Sequence, residues 1–159
     1  GKRAAEHLCA LYNDHFGIEA VIARCFSFIG KDLPLTAHFA VGNFIHDALH
    51  NESIIVTGSA ATVRTYMNQA DLARWLLSIL EKGKAGHAYN VGSDEEITIS
   101  ELANRVRVIL SPQKPVIFKP TPHSFQGRSV YVPDIGIAKN ELHLDIKVSL
   151  DESISEFLE

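Results

Sequence analysis

The sequence predicts an α/β fold in which helices alternate with the strands of a largely parallel sheet. Residues 18–26 are nearly continuous in apolar side chains, which is typical of a strand buried on both faces of a parallel sheet. A long helix follows Asn68, an N-cap residue, and is stopped by Gly83. A capping box formed by Thr98 and Glu101 opens another helix.

The helices are predicted from their end signals and from apolar residues at helical spacing. Gly17 ends the first helix, because glycine tolerates the left-handed conformation of a C-terminal cap. Ser149 and Glu152 form a second capping box. Asp71 and Asp134 are expected to cap the helices beside them. In chain order, the predicted helices cover residues 1–16, 38–49, 68–82, 98–110, 135–142 and 149–158.

Four segments are predicted as strands because they are short, apolar and bounded by glycine, proline or polar turns. The large apolar side chains, Trp75 and the phenylalanines among them, are expected to fill the core. In chain order, the predicted strands cover residues 18–26, 54–56, 88–92 and 115–118.

Length and composition limit the classes of function. A chain of 159 residues is the size of one ordinary domain. A formal net charge of -4 and a pI near 6.1 argue against a general nucleic-acid binder, so any anion site is local. Cys9 and Cys25 lack metal-type spacing, which favours a reducing, cytoplasmic setting. No apolar run reaches the roughly 18 residues of a membrane span, so no membrane partner is expected.

Arg64 is the first functional signal, because it lies just ahead of the well-marked helix that follows Asn68. A planar donor fork held there suits a phosphate or carboxylate ligand. The alternative is a surface arginine paired with an acidic neighbour. The residues around Arg64 leave both readings open.

Two features of the sequence suggest a piece of a longer protein. Residues 1–6 already have the character of a helix interior, with no N-cap residue ahead of them. No GxGxxG loop occurs, so the chain does not supply the usual pyrophosphate cradle of a dinucleotide site.

The order of short motifs resembles the C-terminal half of the extended short-chain dehydrogenase/reductase family, the NAD-dependent sugar-nucleotide epimerases and dehydratases. Residues 1–6 resemble the end of the YxxxK helix, with Lys2 as its lysine. Ser27 stands where most relatives have asparagine, and Lys31 where proline is common. The stretches similar to later motifs are residues 24–30 (RxFNxYGP), 43–45, 58–71 (GDGxxxRxFxxVxDL), 89–92 (YNVG), 100–103 and 131–134 (YVPD).

This resemblance implies the end of an NAD(P)-binding Rossmann-like sheet plus a small substrate-binding α/β subdomain. Residues 1–159 would form one fragment from which the N-terminal dinucleotide-binding half is absent. The implied whole is a cytoplasmic, homodimeric lyase or isomerase, similar to dTDP-glucose 4,6-dehydratase, that makes sugars for surface polysaccharides. Its cofactor would be NAD and its partner a nucleotide-diphosphate sugar.

The resemblance also assigns a role to Lys2. In the family, this lysine holds the nicotinamide ribose, and its charge lowers the pKa of the catalytic tyrosine four residues earlier. That tyrosine would lie ahead of Gly1, outside the chain. The chain alone is therefore expected to be inactive and to bind NAD poorly.

Five further residues are expected at the substrate. Arg64 matches the arginine that holds the nucleotide diphosphate, and Arg128 is a second candidate or a solvated loop charge. Ser27 either donates to substrate or bonds its own backbone. Asn43 contacts the diphosphate or the sugar, or else faces solvent. His38 precedes the helix of the substrate-binding subdomain and is a further candidate.

Other polar residues are expected to have structural roles. Arg24 braces a strand end through a buried ion pair, and Asn90 bonds backbone at another strand end. His46 and His50 share a helix face but have no evident third ligand, so no metal site is predicted. A competing hypothesis is a catalytically inactive NAD-sensing or interaction module of the same fold.

Overall fold

The computed structural model describes residues 1–37, 39–119 and 129–158. Helices and strands alternate along the chain, as predicted. The helices are α1 (Lys2–Phe16), α2 (Ala40–His50), α3 (Gln69–Lys82), α4 (Ile99–Leu110), α5 (Gly136–Leu142) and α6 (Leu150–Ser155), followed by a 3-10 turn at Glu156–Leu158. The strands are β1 (Ile22–Cys25), β2 (Phe28–Ile29), β3 (Ile54–Thr57), β4 (Val63–Arg64), β5 (Met67–Asn68), β6 (Ala88–Val91), β7 (Ile97–Thr98) and β8 (Val116–Lys119).

The strands of the described residues pair two by two, and three of the four pairs are parallel. Strand β1 pairs with β6, β2 with β5, and β3 with β8. Strand β4 is antiparallel to β7. The predominance of parallel pairs with intervening helices confirms the predicted α/β class.

Two hydrophobic cores hold these elements together. In the first, α2 and α4 pack on β3 and α6 packs on α4, with Ile45, Ile54 and Leu102 fully buried. In the second, α3 and α5 pack on β6, with Trp75 and Tyr89 fully buried. Each such side chain contributes about 1.5 to 3 kcal/mol relative to an exposed position.

The first predicted strand is shorter and more exposed than expected. Only Ile22–Cys25 forms a strand, and Arg24 and Cys25 are exposed. Within the described residues, β1 pairs with β6 alone and α1 buries none of its own side chains, so burial on both faces does not arise. The expectation that all phenylalanines fill the core is also wrong, since Phe16, Phe39 and Phe118 are exposed.

Most helix ends follow the predicted capping chemistry. Gly17 adopts φ 66° after α1, and both predicted capping boxes form. Asn68 caps α3 by accepting a bond from the amide of Ala70 at 2.7 Å. Asp134 accepts a bond from the Gly136 amide at 2.8 Å, although the N-cap position itself is Ile135. The helices of the described ranges include none that is long and apolar enough to cross a membrane.

Asp71 does not cap α3, contrary to prediction. Its buried carboxylate instead accepts bonds from the backbone amides of Lys147 and Val148, at 2.9 and 3.0 Å, and from Arg74 at 2.7 Å. Burial raises the pKa of Asp71, but the bonds from Val148, Arg74 and Lys147 outweigh it and hold that pKa below its ordinary value. Asp71 therefore ties the segment before α6 to α3.

We predict that Asp71→Asn lowers the free energy of unfolding at pH 7 by about 2 kcal/mol, because the amide cannot accept all three bonds. A lowered folded-state pKa means that the carboxylate's contribution is complete above the unfolded pKa and is lost as pH falls through the folded one. The difference between wild type and variant should therefore shrink at about pH 3. Urea unfolding at both pH values, followed by the fluorescence of Trp75, the single tryptophan, measures the free energy of unfolding.

Asp145→Asn provides the control, because Asp145 also pairs with Arg74 but is largely exposed. Its effect should stay below about 1 kcal/mol. A difference for Asp71→Asn that is equal at both pH values would contradict the assigned role.

Candidate functional site

A cavity of about 420 Å³ lies where the two cores meet. Val41 of α2 and Ile99 of α4 belong to the first core, whereas Phe28 of β2 packs against the second. The walls are mainly apolar and aromatic, with a few polar groups among them, a composition typical of small-molecule sites. The lining residues are Phe26, Ser27, Phe28, Leu33, Phe39, Ala40, Val41, Thr62, Arg64, Tyr66 and Ile99.

Arg64 is the charged residue among the described residues that line this cavity, and backbone carbonyls hold its guanidinium. Nη1 donates to the carbonyl of Val63 at 2.7 Å and to that of Ser129 at 3.2 Å. The backbone around it is fixed in turn, since the Val63 amide donates to Ser129 and the Tyr131 amide to Val63. The remaining guanidinium nitrogens make no hydrogen bond to the described residues. One side of a half-buried cationic fork is thus open to a ligand.

The alternative that Arg64 is a surface arginine paired with an acidic neighbour does not match this geometry. None of the ion pairs formed among the described ranges involves Arg64. Its guanidinium is half-buried and lies 6.0 Å from the ring centroid of Tyr131. The charge therefore faces a cavity rather than an internal carboxylate.

Tyr66 adds a phenol to the same cavity. Burial raises the pKa of Tyr66 to about 12, against the opposing effect of the Arg64 charge. The hydroxyl is therefore protonated at neutral pH and can donate or accept a hydrogen bond. Sequence reasoning missed Tyr66; its position two residues after Arg64 was the available signal, since alternate residues of an extended segment share a face.

Ser27 and Asn43 fall in adjoining cavities. Ser27 lines the Arg64 cavity. Asn43 is exposed on α2 and lines a neighbouring cavity of about 350 Å³. The two cavities share Ala40, Thr62 and Ile99. Polar side chains of the second cavity, which sequence reasoning did not single out, are Thr57, Ser59 and Thr62.

Two of the candidates, His38 and Arg128, lie outside the described residues, as does the proline-rich segment 120–123, which the sequence predicts to be a surface loop. Among the residues that the structure describes, no group of three or more His, Cys, Asp and Glu side chains could hold a metal. The rings of His46 and His50 lie 4.9 Å apart on the surface of α2.

Lys2 lies in a third cavity, of about 550 Å³, between α1 and β1. Arg24 joins these elements through two bonds to Glu6, at 2.7 and 2.8 Å. The predicted ion pair of Arg24 thus exists, but it is exposed rather than buried, because α1 covers β1 only in part. Phe26 lines both this cavity and that of Arg64.

Asn90 has the predicted structural role. Its side-chain amide donates to the backbone carbonyl of Asp134 at 2.8 Å and so joins β6 to the segment before α5.

Comparison with known proteins identifies the family. The model of the NAD dependent epimerase/dehydratase family matches residues 1–92, more than half of the chain. The chain belongs to this family. The resemblance inferred from the motif order is therefore confirmed, and so is NAD as the cofactor of the family.

Individual relatives add detail. The chain is 32% identical over 158 residues to UDP-glucuronic acid decarboxylase 1 of Arabidopsis thaliana, covering 97% of this chain and 35% of that protein. The UDP-glucose 4-epimerase of Thermotoga maritima, solved with UDP-glucose, superposes with a TM-score of 0.88 at 23% identity, covering 99% of this chain and 50% of that one. The dTDP-glucose 4,6-dehydratase of Streptomyces venezuelae, solved with NAD, superposes with a TM-score of 0.82 at 21% identity. This match covers 99% of this chain and 48% of that one.

The chain spans about a third of the length of the Arabidopsis relative and half of the solved chains. The two solved structures are less than 25% identical to the chain and therefore confirm its Rossmann-like fold rather than its chemistry.

We predict that Tyr66 is the phenol that resists ionisation, because burial favours its neutral form. With a pKa of about 12, about a tenth of it should be ionised at pH 11. The difference in ultraviolet absorbance between wild type and Tyr66→Phe, followed against pH, isolates this group. A difference curve with its midpoint near pH 10, the ordinary value for tyrosine, would contradict the assignment.

Proposed function

We propose that this chain is the substrate-binding part of an NAD-dependent sugar-nucleotide epimerase or dehydratase, with Arg64 at the diphosphate. The observation that supports this most strongly is the half-buried guanidinium, which two backbone carbonyls hold at the wall of a largely apolar cavity. A cation in such a place is poorly solvated, so an anion that fits the cavity gains a strong charge-assisted bond.

The neighbouring groups suit the rest of such a ligand. Ser27 and Tyr66 present hydroxyls beside Arg64. Asn43 and Ser59 present uncharged polar groups in the adjoining cavity, which suits nucleoside or sugar hydroxyls. A formal net charge of -4 gives no general attraction for anions, which is consistent with recognition by one local cation.

Uridine diphosphate is the nucleotide that we propose first. The Arabidopsis relative is named for a UDP-sugar, and the Thermotoga structure was solved with one. The Streptomyces neighbour is named for a dTDP-sugar, so dTDP is the alternative nucleotide. Epimerisation, dehydration and decarboxylation of the sugar are the reactions of the three named relatives, so a lyase or isomerase is the class proposed for the whole enzyme.

Lys2 fits the nicotinamide ribose of NAD. It is exposed on a cavity wall, and its ammonium has no hydrogen bond or ion pair to the described residues, so it is available to ribose hydroxyls. When bound, NAD would take a hydride from the sugar or return one. We propose that its pyrophosphate is held by a dinucleotide-binding half that residues 1–159 do not include, since the sequence has no GxGxxG loop.

From the cysteine usage and the motif resemblance, we further propose a cytoplasmic homodimer whose product enters surface-polysaccharide synthesis. The alternative of an interaction module of the same fold has one observation in its favour. Leu8, Tyr12 and Phe16 leave an uncovered apolar surface on α1. Nucleotide binding that depends on Arg64 separates the two, because a pure interaction module would not need it.

We predict that Arg64→Ala weakens binding of UDP by roughly 10- to 150-fold, the equivalent of a charged hydrogen bond of about 1.5 to 3 kcal/mol. Isothermal titration calorimetry of UDP, with dTDP as comparison, measures the change. Arg107→Ala is the matched control, because Arg107 is also half-buried and donates to a backbone carbonyl, that of Pro112. Equal affinity in wild type and Arg64→Ala would remove Arg64 from the site.

We also predict that the 159-residue chain has no turnover with NAD and a UDP-sugar. None of its four tyrosines has a lysine four residues later, so the proton-transfer pair of the family is incomplete within it. NADH absorbance and chromatography of the sugar nucleotide detect turnover, and UDP titration of the same sample verifies that the site is intact. Product formation above the blank would contradict the proposal.

A further inference from the structure

Tyr131 connects the guanidinium of Arg64 to an aromatic stack. The rings of Tyr131 and Phe26 are stacked with centroids 4.7 Å apart and planes inclined by 25°. The guanidinium carbon of Arg64 lies 6.0 Å from the Tyr131 centroid. The distance between the rings is typical of offset aromatic stacking. The distance from guanidinium to ring lies at the outer limit of cation–π attraction.

The backbone fixes Tyr131 at this place. Its amide donates to the carbonyl of Val63 at 3.2 Å, and the same carbonyl accepts a bond from Nη1 of Arg64. Val130 forms an isolated parallel bridge with Val63. The ring and the guanidinium are therefore attached to two neighbouring segments that are hydrogen-bonded to each other. This pairing of the backbone fixes the distance between them.

Hydrogen bonds alone restrain only one corner of the guanidinium. The bonds of Arg64 to described residues all use Nη1, two of them to carbonyls and one long contact of 3.5 Å to the Ser129 hydroxyl. A planar group held at one nitrogen can still swing about that point. The Tyr131 ring, over which the guanidinium carbon lies at 6.0 Å, limits the swing, because cation and ring attract each other and cannot interpenetrate.

We propose that Tyr131 is a positioning residue that keeps the open side of the Arg64 guanidinium aimed into the cavity. The inference rests on the proposed function, in which that open side binds the diphosphate. The aromatic ring performs this task and the hydroxyl does not, since Tyr131 is half-exposed and its hydroxyl has no hydrogen bond to a described residue. Phe26 supports the ring from the wall that the Arg64 and Lys2 cavities share.

The first test needs no ligand. The order parameter of the Arg64 Nε–Hε bond, measured by nitrogen-15 relaxation, should be high in wild type and in Tyr131→Phe. It should fall below about 0.6 in Tyr131→Leu, which removes the ring but retains an apolar side chain. Tyr12→Leu is the matched control, because Tyr12 is equally exposed and its ring contacts that of Phe16, yet it makes no cation–π contact with Arg64. An unchanged order parameter in Tyr131→Leu would overturn the proposal.

The second test asks whether Tyr131 acts through Arg64. Tyr131→Leu should weaken UDP binding about two- to fivefold in the wild-type background and have no effect in the Arg64→Ala background. Tyr131→Phe should restore wild-type affinity. An equal loss in both backgrounds would mean that Tyr131 contacts the ligand directly or supports the fold, and would overturn the positioning role.

The two tests separate the failure of this inference from that of the proposed function. If wild type does not bind UDP while the Arg64 order parameter still depends on the ring, the proposed function fails and the positioning contact stands. If UDP binds through Arg64 but the order parameter ignores the ring, the function stands and the inference fails. Should Tyr131→Leu not fold, as judged by Trp75 fluorescence, Tyr131→Met replaces it in both tests.

Discussion

The attachment of Arg64 to backbone carbonyls is the interaction on which the candidate site depends. A guanidinium beside apolar walls is costly to desolvate, and the carbonyls of Val63 and Ser129 offset part of that cost by accepting its Nη1 protons. They neutralise no charge, however, so the rest of the group still favours an anionic partner. The same carbonyl of Val63 also accepts a hydrogen bond from the amide of Tyr131, so one backbone group holds both the guanidinium and its aromatic neighbour.

This attachment is in place only because distant parts of the chain meet. Strand β4 is two residues long and gains its partners from β7 and from the segment at 129–131. The cavity beside it is closed by α2 and α4 of one core and by Phe28 against the other. Asp71 fixes the second core to the segment that leads into α6, which packs in the first. The geometry of the site thus depends on both cores.

The features that the sequence predicted well are those that nearby residues determine. Gly17 and the capping boxes at Thr98 and Ser149 satisfy helix-end groups within a few positions, so residue type and spacing identify them. Asp71 was misread because its two backbone partners lie 76 and 77 positions away. The depth of residues 18–26 was misjudged for the same reason, since burial of a strand depends on which segments cover it.

The candidate site follows the same division. Motif order led to Arg64, Ser27 and Asn43, and the fold places all three at adjoining cavities. Tyr66 and Tyr131 fall within two of the matched stretches, 58–71 and 131–134, but the motifs assigned them no role. Their roles come from a buried environment and from a ring that faces a distant guanidinium.

The overall charge also bears on how a diphosphate could be held. Acidic side chains outnumber basic ones, and most are exposed, so at physiological salt their fields fade over about 8 Å. The half-buried Arg64 is screened far less. Affinity for an anion in the Arg64 cavity therefore depends more on the fixed orientation of this guanidinium than on general attraction, since a guanidinium that is free to swing would lose entropy on binding. That requirement explains why the groups that hold Arg64 matter as much as its charge.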